Sequence, residues 1–262
     1  MYRLLKHTLR KFLILPCVAL FILVFISEIS MAKEPYLFDK RTIPLLDLAM
    51  FQINLGWTDL KGPNETLDIF DPVKTDVHYI NASGMHIGIN FIDIKPIPSS
   101  PTWALGGRIG AQIFSGLKDT ITTEVVSTET AVNQTYSLWL PGGFLGDFMA
   151  YKIFNKEKLY ASAFVGVEYD RYHFNGFRNV ASGLPTEIRD GIFWSAGARA
   201  GAGLGFQVKE NFLIGVEYTH RFNQSIHAQP DTGNFPYENR RHIIHLTGDS
   251  IDLVIAKGLF DR

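Results

Sequence analysis

Cysteine is nearly absent. The one cysteine among 262 residues, Cys17, lies inside an apolar run near the amino terminus. Disulfides therefore have no part in the fold that follows. Charge of one sign is also missing: 25 Lys and Arg stand against 26 Asp and Glu, a formal net charge of −1. That removes any bulk electrostatic argument for a nucleic-acid partner. After the amino-terminal run, no apolar stretch approaches the roughly 20 residues that a spanning helix needs.

What the amino terminus does have is a leader pattern. Arg3, Lys6, Arg10 and Lys11 precede "FLILPCVALFILVFI", and Ser30 and Ala32 follow as small residues at the −3 and −1 positions of a cleavage site. Positive flank, apolar centre and small-residue exit predict a cleaved secretory signal peptide over 1–32. A periplasmic segment, 33–44, and a single domain, 45–262, follow. An exported chain without cysteines points to a fold held by a continuous hydrogen-bonded sheet rather than to a small stapled domain.

Glycine and aromatics are plentiful, with 23 Gly, 20 Phe and 10 Tyr. Segments of about 10 residues with alternating polarity recur between turn-rich stretches. In "LYASAFVGVEYDRYHF", Ala161, Ala163, Val165, Val167 and Tyr169 share one face, with Ser162, Gly166, Glu168 and Asp170 opposite. Only Phe164 breaks the pattern. "DLAMFQINLGW", "HIGINFID", "WALGGRIGAQIF", "IFWSAGARAGAGLGFQV", "NFLIGVEYTHRF" and "SIDLVIAKGLF" alternate likewise. "YSLWLPGGFLGDFMAYKIF" does so with a bulge or kink expected at Pro141 and Gly142–Gly143.

About eight strands result, joined alternately by short connections ("KPIPSSP", "NKEK", "KEN") and by long polar ones near 58–84, 116–135, 174–190 and 224–241. The expected fold class is all-β: an eight-stranded antiparallel transmembrane β-barrel with short periplasmic turns and long extracellular loops. An even strand number puts both chain ends on the short-turn side.

The alanine and valine face then meets lipid, and the charges point into the barrel. The predicted lumen charge network is Arg108, Glu168, Asp170, Arg199, Glu217, Arg221 and Asp252. Eight strands leave an interior that side chains can fill, so a plugged, polar lumen is expected. Two aromatic girdles should bound the lipid band: Trp57, Trp139, Tyr169, Trp194 and Tyr218 at the long-loop ends, and Trp103, Phe206 and Phe212 at the short-turn ends.

With signal peptide, alternating strands, loop asymmetry and the paired "GVEY" stretches at Gly166 and Gly215, the chain resembles the small eight-stranded outer-membrane barrels of Gram-negative bacteria from about Leu45 to Phe260. The resemblance implies a cell outer-membrane location, contact with outer-membrane lipid and lipopolysaccharide, and delivery by the barrel-assembly machinery. Members commonly end on an aromatic residue, whereas Phe260 is followed here by Asp261 and Arg262.

A partial resemblance to outer-membrane lipid A deacylases rests on His220, Asn223, Pro230 and Gly233. Phe222 occupies the nucleophile position of that motif, and a serine–histidine mechanism needs a hydroxyl there. His242 and His245, three apart, fall on opposite faces of a strand and do not share a metal. Arg240 and Arg241 are candidates for lipopolysaccharide phosphates. "GARAGAGLG" lacks the strand–turn–helix context of a nucleotide loop. No catalytic, cofactor or metal residue is assigned.

The function expected is that of a non-enzymatic outer-membrane protein, structural or adhesin-like through its loops, with host or other extracellular proteins as candidate partners. A lipid A-modifying enzyme around His220 is the first alternative and a narrow porin-like pore the second.

Overall fold

The computed structural model describes residues 48–68, 75–126, 131–154, 159–180, 186–209, 212–228 and 240–258. The predicted leader with Cys17, the predicted periplasmic segment 33–44, Pro230, Gly233 and Phe260 lie outside them. Among the described residues there are nine strands: β1 (Leu48–Asp68), β2 (Thr75–Ile97), β3 (Ser100–Ser115), β4 (Lys118–Val126), β5 (Ala131–Phe154), β6 (Leu159–Val180), β7 (Thr186–Lys209), β8 (Phe212–Ala228) and β9 (Arg240–Gly258). Each pairs antiparallel with its neighbour, β1 pairs β9, and β3 pairs both β2 and β5. The sheet therefore closes.

β3 and β4 occupy one place in an eight-membered ring. Gly116 and Leu117 divide them, and Gly116 takes φ 83°, a left-handed conformation that glycine adopts without steric cost. The facing strand carries the matching irregularity. Pairing between β5 and β6 shifts between Trp139 and Gly142, at the Pro141–Gly142–Gly143 stretch where a bulge is expected.

The ring's stagger can be followed through its partners. One row runs Met50, Ile92, Arg108, Asp147, Gly166, Arg199, Arg221, Gly248 and re-enters β1 at Leu60, ten residues beyond its start. With a rise of about 3.3 Å per residue and strands about 4.8 Å apart, that shear tilts the strands by about 40°. Each residue then climbs about 2.5 Å along the axis. The 24-residue strands β5 and β7 span about 60 Å, over twice the apolar band of a membrane barrel.

The segments expected as long loops are accordingly mostly strand. β1 and β2 stay paired out to Leu67 and Thr75, β4 and β5 to Val126 and Ala131, and β8 and β9 to Ala228 and His242. On the opposite side, Pro98–Ser99 alone separates β2 from β3, and only 210–211 separates β7 from β8. Both described chain ends lie on this short-turn side, where Met50 pairs Gly258.

The exterior is apolar and the interior is filled. Ile113 is 71 % exposed, Ile109 66 % and Val167 63 %, whereas Arg108 and Glu168 are 1 % exposed. A belt of exposed Ile, Phe, Val and Leu on every strand of the ring is far larger than a water-soluble surface carries, and hydrocarbon is the solvent it matches. Among the described residues the network of buried ion pairs lies at the middle of this interior. An apolar cluster with Leu60, Ile80, Leu140, Tyr172 and Leu246 fills the long end, and another with Met50, Ile94, Met149, Tyr151 and Tyr160 fills the short-turn end. The expectation of a polar lumen is corrected to that extent. A tube taller than the lipid band has room for a charged layer and for apolar plugs beyond it.

Candidate functional site

The charged layer is built by inward positions that stand directly opposite or two residues off on neighbouring strands, and by side chains that cross the interior. Arg108 of β3 sends Nη1 to both carboxylate oxygens of Glu217, at 2.8 and 2.9 Å, and Nε to Asp147 Oδ2 at 2.6 Å. Arg221 donates from Nε to Glu168 Oε2 at 3.0 Å, from Nη1 to Ser250 at 3.1 Å and from Nη2 to Gln112 at 3.2 Å. Arg199 stands between the two groups, 3.3 Å from Asp147 and 3.8 Å from Glu168. Asp170 accepts from Gln112 at 3.2 Å and from Gln224 at 2.7 Å. Asp252 meets His86 Nε2 at 2.6 Å, and His86 Nδ1 meets Thr58 at 2.9 Å. All seven residues predicted for the lumen are buried, and the geometry joins six of them into one network while Asp252 pairs separately with His86.

Phe164, the residue out of pattern in its segment, belongs to this layer. Its ring lies 4.3 Å from the Arg108 guanidinium and 5.2 Å from that of Arg199. An aromatic face between two cations lets like charges approach in a space that water does not fill. Five buried carboxyl groups (Asp147, Glu168, Asp170, Glu217 and Asp252) face three guanidiniums. One of the five, Asp252, has the His86 imidazole as its contact. The layer is a set of buried ion pairs and hydrogen bonds that reach across the interior.

Asp147, Gln112 and Gln224 are members that sequence reasoning left out of the network, and His86 is the partner it did not give Asp252. The bulge before Gly142 hides the phase that turns Asp147 inward, and Gln224 follows a second shift in pairing, between Arg221 and Gln224. His86 and Gln112 sit on the correctly assigned inward face, so pairing excess acids with them was open to the eye.

On the exterior, Trp57, Trp139, Tyr169, Trp194 and Phe206 are exposed as expected of girdle residues, and Phe212 and Tyr218 are half-buried. Trp194 stacks on Tyr169 with centroids 5.0 Å apart and on Phe144 at 6.4 Å, an aromatic stack across β5, β6 and β7. Trp103 is the exception and corrects the girdle: it is fully buried, with the Lys152 ammonium 4.8 Å from its ring. Pairing shifts between Pro96 and Ile97 at this end, and the adjacent Trp103 and Ala104 are both buried, so both faces of the sheet are covered there.

His220 is half-buried on the outer wall. Its Nδ1 lies 2.8 Å from Asp249 Oδ1 on β9, a carboxylate that also accepts from the Tyr218 hydroxyl. Asp249 lies in phase with the outward Ile251 and Leu253, so the alternation could have supplied this partner. The Phe222 ring meets the imidazole edge-on at 4.6 Å. Phe222, which bears no hydroxyl, is the residue at the nucleophile position of the partial deacylase resemblance. His245 bonds Ser225 at 2.7 Å on the same outer wall.

No protein-family model and no curated protein sequence matches the chain. Among solved structures the chain is similar to Ail, the attachment invasion locus protein of Yersinia pestis, at 11 % identity over 78 % of this chain and 99 % of that one, with a TM-score of 0.29. It is similar to Neisserial surface protein A at 9 % identity, 77 % and 96 % coverage and a TM-score of 0.28. The outer-membrane protease OmpT from Escherichia coli is similar at 11 % identity, 82 % and 98 % coverage and a TM-score of 0.39.

Proposed function

We propose that the protein is a closed, non-enzymatic outer-membrane barrel that raises a rigid β surface above the membrane for binding. Signal-directed export, insertion by the barrel-assembly machinery, short turns in the periplasm and hairpins outside belong to this reading. The observation that carries it is the filled lumen: apolar plug, charged layer and second apolar plug follow one another along the axis. A tube packed in this way supports a platform better than it supports a pore. The partners are lipopolysaccharide around the outer wall and extracellular proteins at the hairpin ends, where loops on a rigid scaffold carry recognition.

Three measurements on intact cells and purified barrel test the proposal. Fractionation should place the protein in the outer membrane, and protease should cut near 69–74, 127–130, 181–185 and 229–239 while sparing the short turns. Planar bilayers should stay silent; sustained conductance steps would overturn the closed-lumen reading. Incubation with lipid A should leave its mass unchanged, and loss of an acyl chain would overturn the non-enzymatic one.

A further inference from the structure

Most glycines in this barrel have no room for a side chain. A Cβ at Gly143 would stand 2.0 Å from Asp170 Oδ1, and one at Gly110 would stand 1.9 Å from Asn90 Oδ1. Gly107 and Gly146 differ. A Cβ at Gly146 meets nothing within 4 Å, and one at Gly107 meets only the Asp147 carbonyl oxygen at 3.6 Å. Nothing within the barrel requires glycine at either place.

Both glycines lie on the outward face, where Gly107 pairs Phe148 and Asp93, and Gly146 pairs Ile109 and Val167. Their missing side chains leave a groove of about 540 Å³ in the lipid-facing wall. Phe91, Leu105 and Ile109 form its sides, and Asp93 and Lys95 stand at its end toward the Pro98–Ser99 turn. The groove is continuous with the apolar belt, and its volume falls within the range of small-ligand sites. Asp93 and Lys95 point outward two residues apart, about 6.6 Å along the strand.

We propose that this groove binds one phospholipid of the leaflet on the short-turn side. An acyl chain lies over Gly107 and Gly146, and a zwitterionic headgroup meets the two charges. A headgroup carrying a phosphate and a primary ammonium fits them: Lys95 faces the phosphate and Asp93 the ammonium. A purely anionic headgroup would place its phosphate beside Asp93 with no cation of its own to compensate. The proposal rests on the membrane-barrel reading and adds a lipid-specific site to it.

The test is native mass spectrometry of the full chain, extracted in mild detergent and supplied with phosphatidylethanolamine, phosphatidylglycerol or phosphatidylcholine. The wild type should retain one phosphatidylethanolamine per barrel, at least tenfold more than either other lipid. Gly107→Leu/Gly146→Leu, whose Cβ atoms meet no barrel atom closer than 3.6 Å, should lose that retention at least tenfold while keeping heat-modifiable mobility. Should the double variant fail to fold, Asp93→Asn/Lys95→Gln at exposed positions decides alone, with the same tenfold loss expected. Equal retention by wild type and by a folded variant, or equal retention of the three lipids, overturns the site. Outer-membrane fractionation of the same samples separates that failure from failure of the barrel reading.

Discussion

Ala198 and Arg199 are consecutive residues of β7, and they live in different solvents. Arg199 is 3 % exposed, between the carboxylates of Asp147 and Glu168. Ala198 is exposed on the outer wall, beside the exposed Val167 on β6. One residue of strand separates a closed ionic layer from a surface suited to hydrocarbon. The two faces therefore make opposite demands. The inner face tolerates charge only in paired sets, and the outer face tolerates it only beyond the apolar belt. Substitutions that cross between these rules give the sharpest tests.

The largest effect should come from breaking a pair inside. Arg108→Ala removes the cation shared by Glu217 and Asp147, and leaves Asp147 with Arg199 at 3.3 Å. Removing one member of a buried pair costs about 3–5 kcal/mol, because the remaining charge stays in low dielectric. Denaturant titration in lipid vesicles, read by heat-modifiable gel mobility, should show that loss. Replacement of all three residues by apolar side chains of similar volume should recover much of it. No recovery would mean that the layer's hydrogen-bond geometry, and not its charge pairing, holds the barrel.

The next effect comes from putting charge on the outer face. Val167→Arg places a guanidinium in the lipid-facing belt, where the cost is about 2–4 kcal/mol near the midplane. A loss below 0.5 kcal/mol on the same assay, where a barrel charge near an interface costs about 0–1 kcal/mol, would place Val167 outside the hydrocarbon and shift the belt.

The two faces also differ in how far the sequence discloses them. Alternation alone assigns Ile53, Ile89, Val165 and Leu253 outward and Arg108, Glu168 and Asp252 inward, because period two is a local property of extended chain. It fails where the ladder slips. Asp147 and Gln224 lie beyond pairing shifts, and the phase that places them is set by the neighbouring strand. Trp103 fails for the related reason that burial at the irregular start of β3 comes from both faces. Strand length was hidden too. Polar stretches such as "TDLKGPNETLD" read as loop from composition, yet they pair with β2 and β9 residue by residue. Alternation puts His86 and Asp252 on the inner face and His220 and Asp249 on the outer one, and register selects each acid among the residues of its face.

The smallest effect should lie above the belt on the outer face. On β1 the exposed apolar series Phe51, Ile53, Leu55 and Trp57 gives way to Asp59 and Lys61, whose side chains form an ion pair at 2.5 Å and are about one third exposed. A pair in that position is hydrated and screened, and such pairs contribute about 0–1 kcal/mol. Lys61→Ala should therefore change stability by less than 1 kcal/mol, and added salt should shrink even that difference. Both variants remove one cation, from two buried carboxylates at Arg108 and from one hydrated carboxylate at Lys61. If Lys61→Ala cost as much as Arg108→Ala, the water boundary would lie above Lys61, and the hairpins taken to stand clear of the membrane would be inside it.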